Sequence, residues 1–518
     1  MSTPLASPAS SALPNLERLR KQAKALLRAA RAGEPEALAR LQSTRTDAGS
    51  VGKGARPLLL ADSQLAVARE VGFASWPKLV AALAARDLER FREAVAKLDA
   101  PRLARLLALP HVRAHLDAPL FDFGQRAAHL GAKDRSVLAL LLDAGADVDG
   151  KSDWAKGPYT VLDRADEPTA RFLLSRGATL TPNVAARLGW HEELLAMLRA
   201  DPALVHARGG DGQQPLHEAK SVEIADRLLD QGADIDARCV DDRSTPAQYA
   251  LVDRQEVARH LLSRGATPDI FMAARLGDSA LALRLLDADP SAVAARVNAP
   301  GYSPVPPFNT YCWSLGFGAS PHAVAERYGH TEVLALLQSR SSPRVLLRTA
   351  ILANDVPRVK ALVHADPALL ASMSREDHGQ LAVAIFHGAY AAADLMLDLG
   401  FDPEAPGIDG GSALHAACWV GSVKLVNRIL EVVARDSGEK AHLLDAPDPT
   451  HQSPPLGWVA YGSVHRRAPG GDYPAVAERL AAAGADLRAV GNLHGKTLIE
   501  MASGNAEMQD ALRRLGAG

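Results

Sequence analysis

Apolar residues fall on helical stripes from early in the chain. In LERLRKQAKALLRAARAGEPEALARL, Leu16, Leu19, Ala23, Leu26 and Ala30 lie along one face of a predicted amphipathic helix. A Gly/Ser-rich break, DAGSVGKGARP, follows. Next comes SQLAVAREVGFASWPKLVAALAAR, which predicts a further helical pair with Trp76, Leu79 and Leu83 turned inward. Downstream the pattern becomes periodic. One tail recurs as LLDAGADVD around Gly145, LLSRGATL around Gly177, LLDQGADID around Gly232, LLSRGATPD around Gly265 and LAAAGADL around Gly484. Gly145 to Gly177 spans 32 residues and Gly232 to Gly265 spans 33. Degenerate copies fill the wider gaps, ending in LRADPALVHAR, LDADPSAVAAR and VHADPALLASM.

Short helix starts precede these tails: QPLHEA, STPAQYAL, SPHAVAERYGH, SALHAACWVGS and SPPLGWVAYGS. A Ser/Thr-Pro pair supplies a side-chain cap and a proline for the first turn. Each tail glycine permits the positive φ that ends a second helix. With this period and these signatures the chain resembles the ankyrin-repeat family, whose unit is a turn and two antiparallel helices. The resemblance implies an all-α solenoid of about eleven or twelve repeats, several of them degenerate. Residues 1–95 are expected as a helical N-terminal capping segment, similar to leaders that precede ankyrin arrays in many bacterial proteins. A connecting helix is expected over 96–118, repeats over 119–299, an insertion over 300–319, and repeats again over 320–518. The last stretch holds a second insertion near 462–473 and a C-terminal cap, GKTLIEMASGNAEMQDALRRLGAG. His217 and His415 occupy the family's usual histidine position, where the ring bonds neighbouring backbone.

The interruption is the informative part. Aromatic residues make up 5% of the chain, yet Tyr302, Phe308, Tyr311, Trp313 and Phe317 crowd into it among Pro304, Pro306 and Pro307. Long loops without secondary structure are uncommon unless they are functional or disordered. This one is too aromatic for disorder. By the family's register, Trp419 at the end of a first helix, and Trp458 and Tyr461 at comparable positions, face the concave groove. The second insertion, VHRRAPGGDYP, brings Asp472. The expectation is that both insertions fold over the groove, with Tyr311, Trp313, Phe317, Trp419, Trp458, Tyr461, His378 and Asp472 as the ligand-binding residues.

Bulk properties narrow the function little. A charge of −2, from 58 basic and 60 acidic residues, gives no field for nucleic acid or a membrane surface. Cys239, Cys312 and Cys418 are isolated and without CxxC spacing, which argues against a disulfide framework and for a cytoplasmic location. No phosphate loop, nucleophile elbow or HExxH motif occurs. His111 and His115 in HVRAH lack a third ligand, so neither metal nor cofactor is expected. The leading reading is a cytoplasmic scaffold that takes a protein or peptide in its groove. The alternative is an enzyme or small-molecule binder whose pocket lies under the two insertions, with Asp377, His378, Asp472, His322 or Tyr311 as acid or base.

Overall fold

Residues 15–43, 57–297, 309–316, 318–436, 441–488 and 491–517 are described by the structure, a computed structural model. They are helical, with no strand among the described residues. No described helix is long and apolar enough to cross a membrane. Contacts divide the chain into two units, Met1–Asp234 with Cys239–Asp241, and Ile235–Arg238 with Asp242–Gly518.

The first unit begins with the predicted amphipathic helix, Leu16–Arg31, whose start is capped by the Asn15 side chain. Leu19, Ala23, Leu26 and Ala30 bury against Leu41, Val67, Leu79 and Leu83. Trp76 packs at the edge of the same core. The leader's last helix ends within one residue of the expected boundary at 95, and its far end packs into the next core. This helix, Trp76–Ala96, is 21 residues long, about 31 Å at 1.5 Å per residue, and it serves two cores. Phe91, Ala94 and Val95 at its far end are fully buried with Leu103, Val112, Val137 and Leu141. The expected connecting helix over 96–118 is instead two short ones, Ala100–Leu107 and Pro110–Arg113. Leu98 turns the chain at positive φ before the first, and Pro110 opens the second because proline suits a first turn and not a helix interior.

From Ala127 onward short helices alternate, as in Pro182–Leu188 with His191–Ala200, and in the second unit Ile270–Leu276 with Ser279–Ala288. Local chemistry sets their ends. Thr181, Thr245, Ser320 and Ser342 each precede a helix-opening proline and accept the N–H three residues on, a cap worth about 1 kcal/mol. The tail glycines 145, 177, 232, 265 and 484 all have φ between 90° and 104°. QPLHEA departs from its expected helix. It makes only a 3-10 turn, Pro215–Glu218, because the backbone turns extended at Ala219 and Lys220 N–H bonds the Ala186 carbonyl at 3.1 Å.

Polar contacts tie some of these helix pairs to the next. The Asp149 carboxylate accepts from Thr179 N–H at 3.0 Å, Asp236 from Thr267 N–H at 3.0 Å, and Asp445 from Asp486 N–H at 2.8 Å. His217 accepts the Gln214 N–H and His415 the Ser412 N–H through Nδ1, both at 3.1 Å. With Nδ1 accepting, Nε2 of His415 carries the proton and donates to the Ser453 carbonyl at 3.2 Å. Burial holds His415 below its ordinary pKa and therefore neutral.

In the second unit one continuous core runs from Leu347 to Ala517. The interruption lies before it. Its described part leaves and returns at one place, where Val297 N–H bonds the Ala319 carbonyl at 3.0 Å and Gly318 N–H the Val297 carbonyl at 2.9 Å. Between these, Thr310 N–H reaches Ser244 Oγ at 2.8 Å, and Tyr311 is fully buried beside the Phe271 ring.

Candidate functional site

Three helices of the second unit place aromatic rings at matching positions. Phe386 ends Gln380–Phe386, Trp419 ends Ala413–Trp419, and Tyr461 lies in Pro455–His465, three residues beyond Trp458. Small residues let these helices close up. A Cβ on Gly462 would stand 2.8 Å from the Trp419 carbonyl and 3.2 Å from its indole, so glycine there sets how closely the two helices approach.

The rings tile into one wall. Phe386 and Trp419 have centroids 6.1 Å apart with planes 2° from parallel, and Trp419 and Tyr461 are 6.1 Å apart at 25°. A ring inserted between two others needs about 7 Å, twice a van der Waals contact, so these three form an offset stack with no slot between rings, and the His465 ring lies 4.0 Å from that of Tyr461. Trp458 meets Trp419 edge-on at 6.1 Å.

Polar groups fix the opposite side. Asp448, nearly fully buried, accepts from the backbone N–H of Thr450, His451 and Ser453 and from Trp458 Nε1 at 2.9 Å. That knot holds the 448–453 turn and sets His451 3.3 Å from Asp409 Oδ2. Asp409 lies in an Asp-Gly turn in which it and Gly410 both have positive φ, a conformation these residue types tolerate. Leu493 N–H bonds the His451 carbonyl at 2.8 Å and brings Asn492, His494 and Lys496 to the rim. The cavity, open to solvent on one side, is about 390 Å³, within the range of small-ligand sites. Trp419 Nε1 is buried there without a hydrogen-bond partner among the described residues. An unmet buried donor costs about 1–3 kcal/mol.

Of the residues named from the sequence, Trp419, Trp458 and Tyr461 share this cavity; Tyr311, Trp313, His378 and Asp472 do not line it. Tyr311 is a core residue and not a ligand contact: its hydroxyl donates to Asp269 Oδ2 at 2.8 Å, where Gln248 Nε2 donates as well. Burial raises the Asp269 pKa, and the Met272 N–H, Tyr311 and Gln248 bonds offset part of that. Trp313 is 68% exposed, so it is not folded down over a groove. Phe317 lies outside the described residues. His378 Nδ1 accepts the Asp402 N–H at 3.1 Å with its ring against Phe401. Asp472 caps the helix Tyr473–Ala483 through Ala475 N–H and lines a separate shallow depression with Arg467 and Asn505. Helix Pro455–His465 continues through the expected start of the second insertion, leaving residues 466–472 as the loop.

The remaining acid–base candidates are engaged elsewhere. Burial alone would raise Asp377, but bonds from Ser374 and the Arg344 guanidinium hold it low. His322 is fully buried, bonds Ser341 Oγ at 2.8 Å, and is pushed by burial down to about 4. The sequence reading missed Phe386, Asp409, His451, Asn492 and Lys496. Phe386 carried a signal, since it precedes Trp419 by 33 residues, one period. A scan of protein-family models and a search of curated proteins give no match to the chain.

Proposed function

We propose that the chain is an ankyrin-type array of helix pairs that acts by binding, and that the cavity beside Trp419 is where it holds a segment of a protein partner. The repeat assignment draws on two features that return at the same offset. The histidine-to-backbone bond at His217 recurs at His415, and the positive-φ Asp-Gly turn at Asp211 recurs at Asp409, each 198 residues on, six periods of 33. A cytoplasmic location goes with this reading, since the three cysteines are buried and form no disulfide with one another.

The observation that carries the binding site is the aromatic wall itself. Phe386, Trp419 and Tyr461 occupy one register on successive first helices, and Tyr461 remains 44% exposed. Aligned ring faces with apolar area open to solvent gain by being covered, and tryptophan and tyrosine dominate the centres of protein-binding surfaces. Peptides selected on the full chain from a random phage-displayed library test it. Their affinity is expected to fall by roughly tenfold or more on Tyr461→Ala, with the melting temperature unchanged. Selected peptides that bind Tyr461→Ala and Trp419→Ala as tightly as the wild type would place the site elsewhere.

A further inference from the structure

Resting on that reading, we infer that the segment held in the cavity presents an aromatic ring next to an acidic group. The donors and acceptors of the wall are unequally committed. The acceptors are largely in use. Asp409, the one carboxylate among the described lining residues, faces His451 at 3.3 Å. Asn492 Oδ1 accepts the N–H of His494 at 3.0 Å and of Lys496 at 3.4 Å.

The donors are not in use. Among the described residues, the Asn492 side-chain amide and the Lys496 ammonium make no hydrogen bond within the protein, and Trp419 Nε1 is buried without a partner. Asn492 is held in place by its own oxygen, so its NH₂ direction is fixed before any ligand arrives. A guest that brings acceptors to the rim satisfies Asn492 and Lys496, whereas a guest that brings only donors leaves them unmet and meets the Lys496 charge.

The apolar half of the cavity sets the other half of the guest. Phe386, Trp419 and Tyr461 stack on one another with no slot between rings, so a guest packs against the stack from the cavity side, where edge-to-face contact suits an aromatic group. A cationic side chain also stacks on aromatic rings, but here it would lie near the Lys496 ammonium, while the Asp409 carboxylate is engaged by His451 at 3.3 Å. The uncommitted donors of Asn492 and Lys496 therefore favour an aromatic residue flanked by Asp or Glu.

Ligand-observed NMR titration of the full chain tests this with acetyl-GSGFEGSG-amide, its Phe–Lys counterpart and its Ala–Glu counterpart. The Phe–Glu peptide is expected to bind at least fivefold tighter than either. Lys496→Glu, a change at an exposed loop residue, is expected to reverse the preference between Phe–Glu and Phe–Lys. Equal or tighter binding of Phe–Lys to the wild type, or an unchanged ratio in Lys496→Glu, overturns the acidic assignment. If Tyr461→Ala still abolishes binding in that case, the aromatic site itself stands. If no peptide depends on Tyr461, both the site and the inference fall. Adenosine 5′-monophosphate, titrated alongside, separates the sources of an aromatic anion. Tighter binding of the nucleotide than of Phe–Glu would overturn the peptide assignment.

Discussion

Tyr311 and Trp419 are both large aromatics beside irregular features of the same unit, and the structure treats them in opposite ways. Tyr311 has both its ring and its polar handle satisfied, the ring against Phe271 and the hydroxyl on Asp269. Trp419 has its ring stacked on two neighbours and its indole N–H left without a partner. Tyr311 is committed to the fold on both counts, whereas the Trp419 ring lines a cavity. What separates the two is the state of the polar atom.

Three substitutions bear on that contrast. The largest effect is expected at Tyr311. Its truncation to alanine empties a filled core position and removes a donor from buried Asp269, so Tyr311→Ala should cost roughly 3–5 kcal/mol of stability in denaturant titration. A cost under about 1 kcal/mol would make the anchoring role wrong.

Second comes His322, another buried polar group whose Nδ1 lacks a partner among the described residues. Its folded pKa of about 4 lies below the ordinary 6.5, so below pH 6.5 the unfolded chain binds the extra proton. The stabilising contribution is complete above pH 6.5 and lost as pH falls through about 4, to the extent of about 3 kcal/mol. His322→Leu should flatten the stability–pH curve between pH 4 and 6.5 relative to wild type. Parallel curves would show that His322 is not the group titrating there.

The smallest effect is expected at Trp313. With the side chain 68% exposed, Trp313→Ala should change stability by about 0.5 kcal/mol or less. A loss near that of Tyr311→Ala would erase the distinction between the buried and the exposed aromatic of the interruption.

The helical class was legible because its signals are local. Capping threonines and serines, helix-opening prolines and tail glycines act within a few residues of where they stand. Leu19, Ala23 and Leu26 disclosed their buried face by spacing alone. The hand-over from the leader's core was not legible, since nothing between Leu83 and Phe91 marks where the helix passes from one core to the next. Nor was Tyr311's role, because its partner Asp269 is 42 residues away and a satisfied tyrosine has the same letter as a free one. For the candidate site, Trp419, Trp458 and Tyr461 could be named from helix register, and one more period back would have added Phe386. Asp409, His451, Asn492 and Lys496 come from turns whose positions are set by the buried Asp448 knot and by loop-to-loop backbone bonds. Such contacts leave no periodic trace.

Ligand binding is proposed to belong to the Trp419 cavity and not to the aromatic interruption. Isothermal titration of one library-selected peptide against wild type, Tyr461→Ala and Trp313→Ala tests it most directly, since both substituted side chains are exposed. The expected result is a loss of at least about tenfold, or about 1.4 kcal/mol, for Tyr461→Ala and wild-type affinity for Trp313→Ala. Undiminished binding by Tyr461→Ala together with a loss on Trp313→Ala would contradict it.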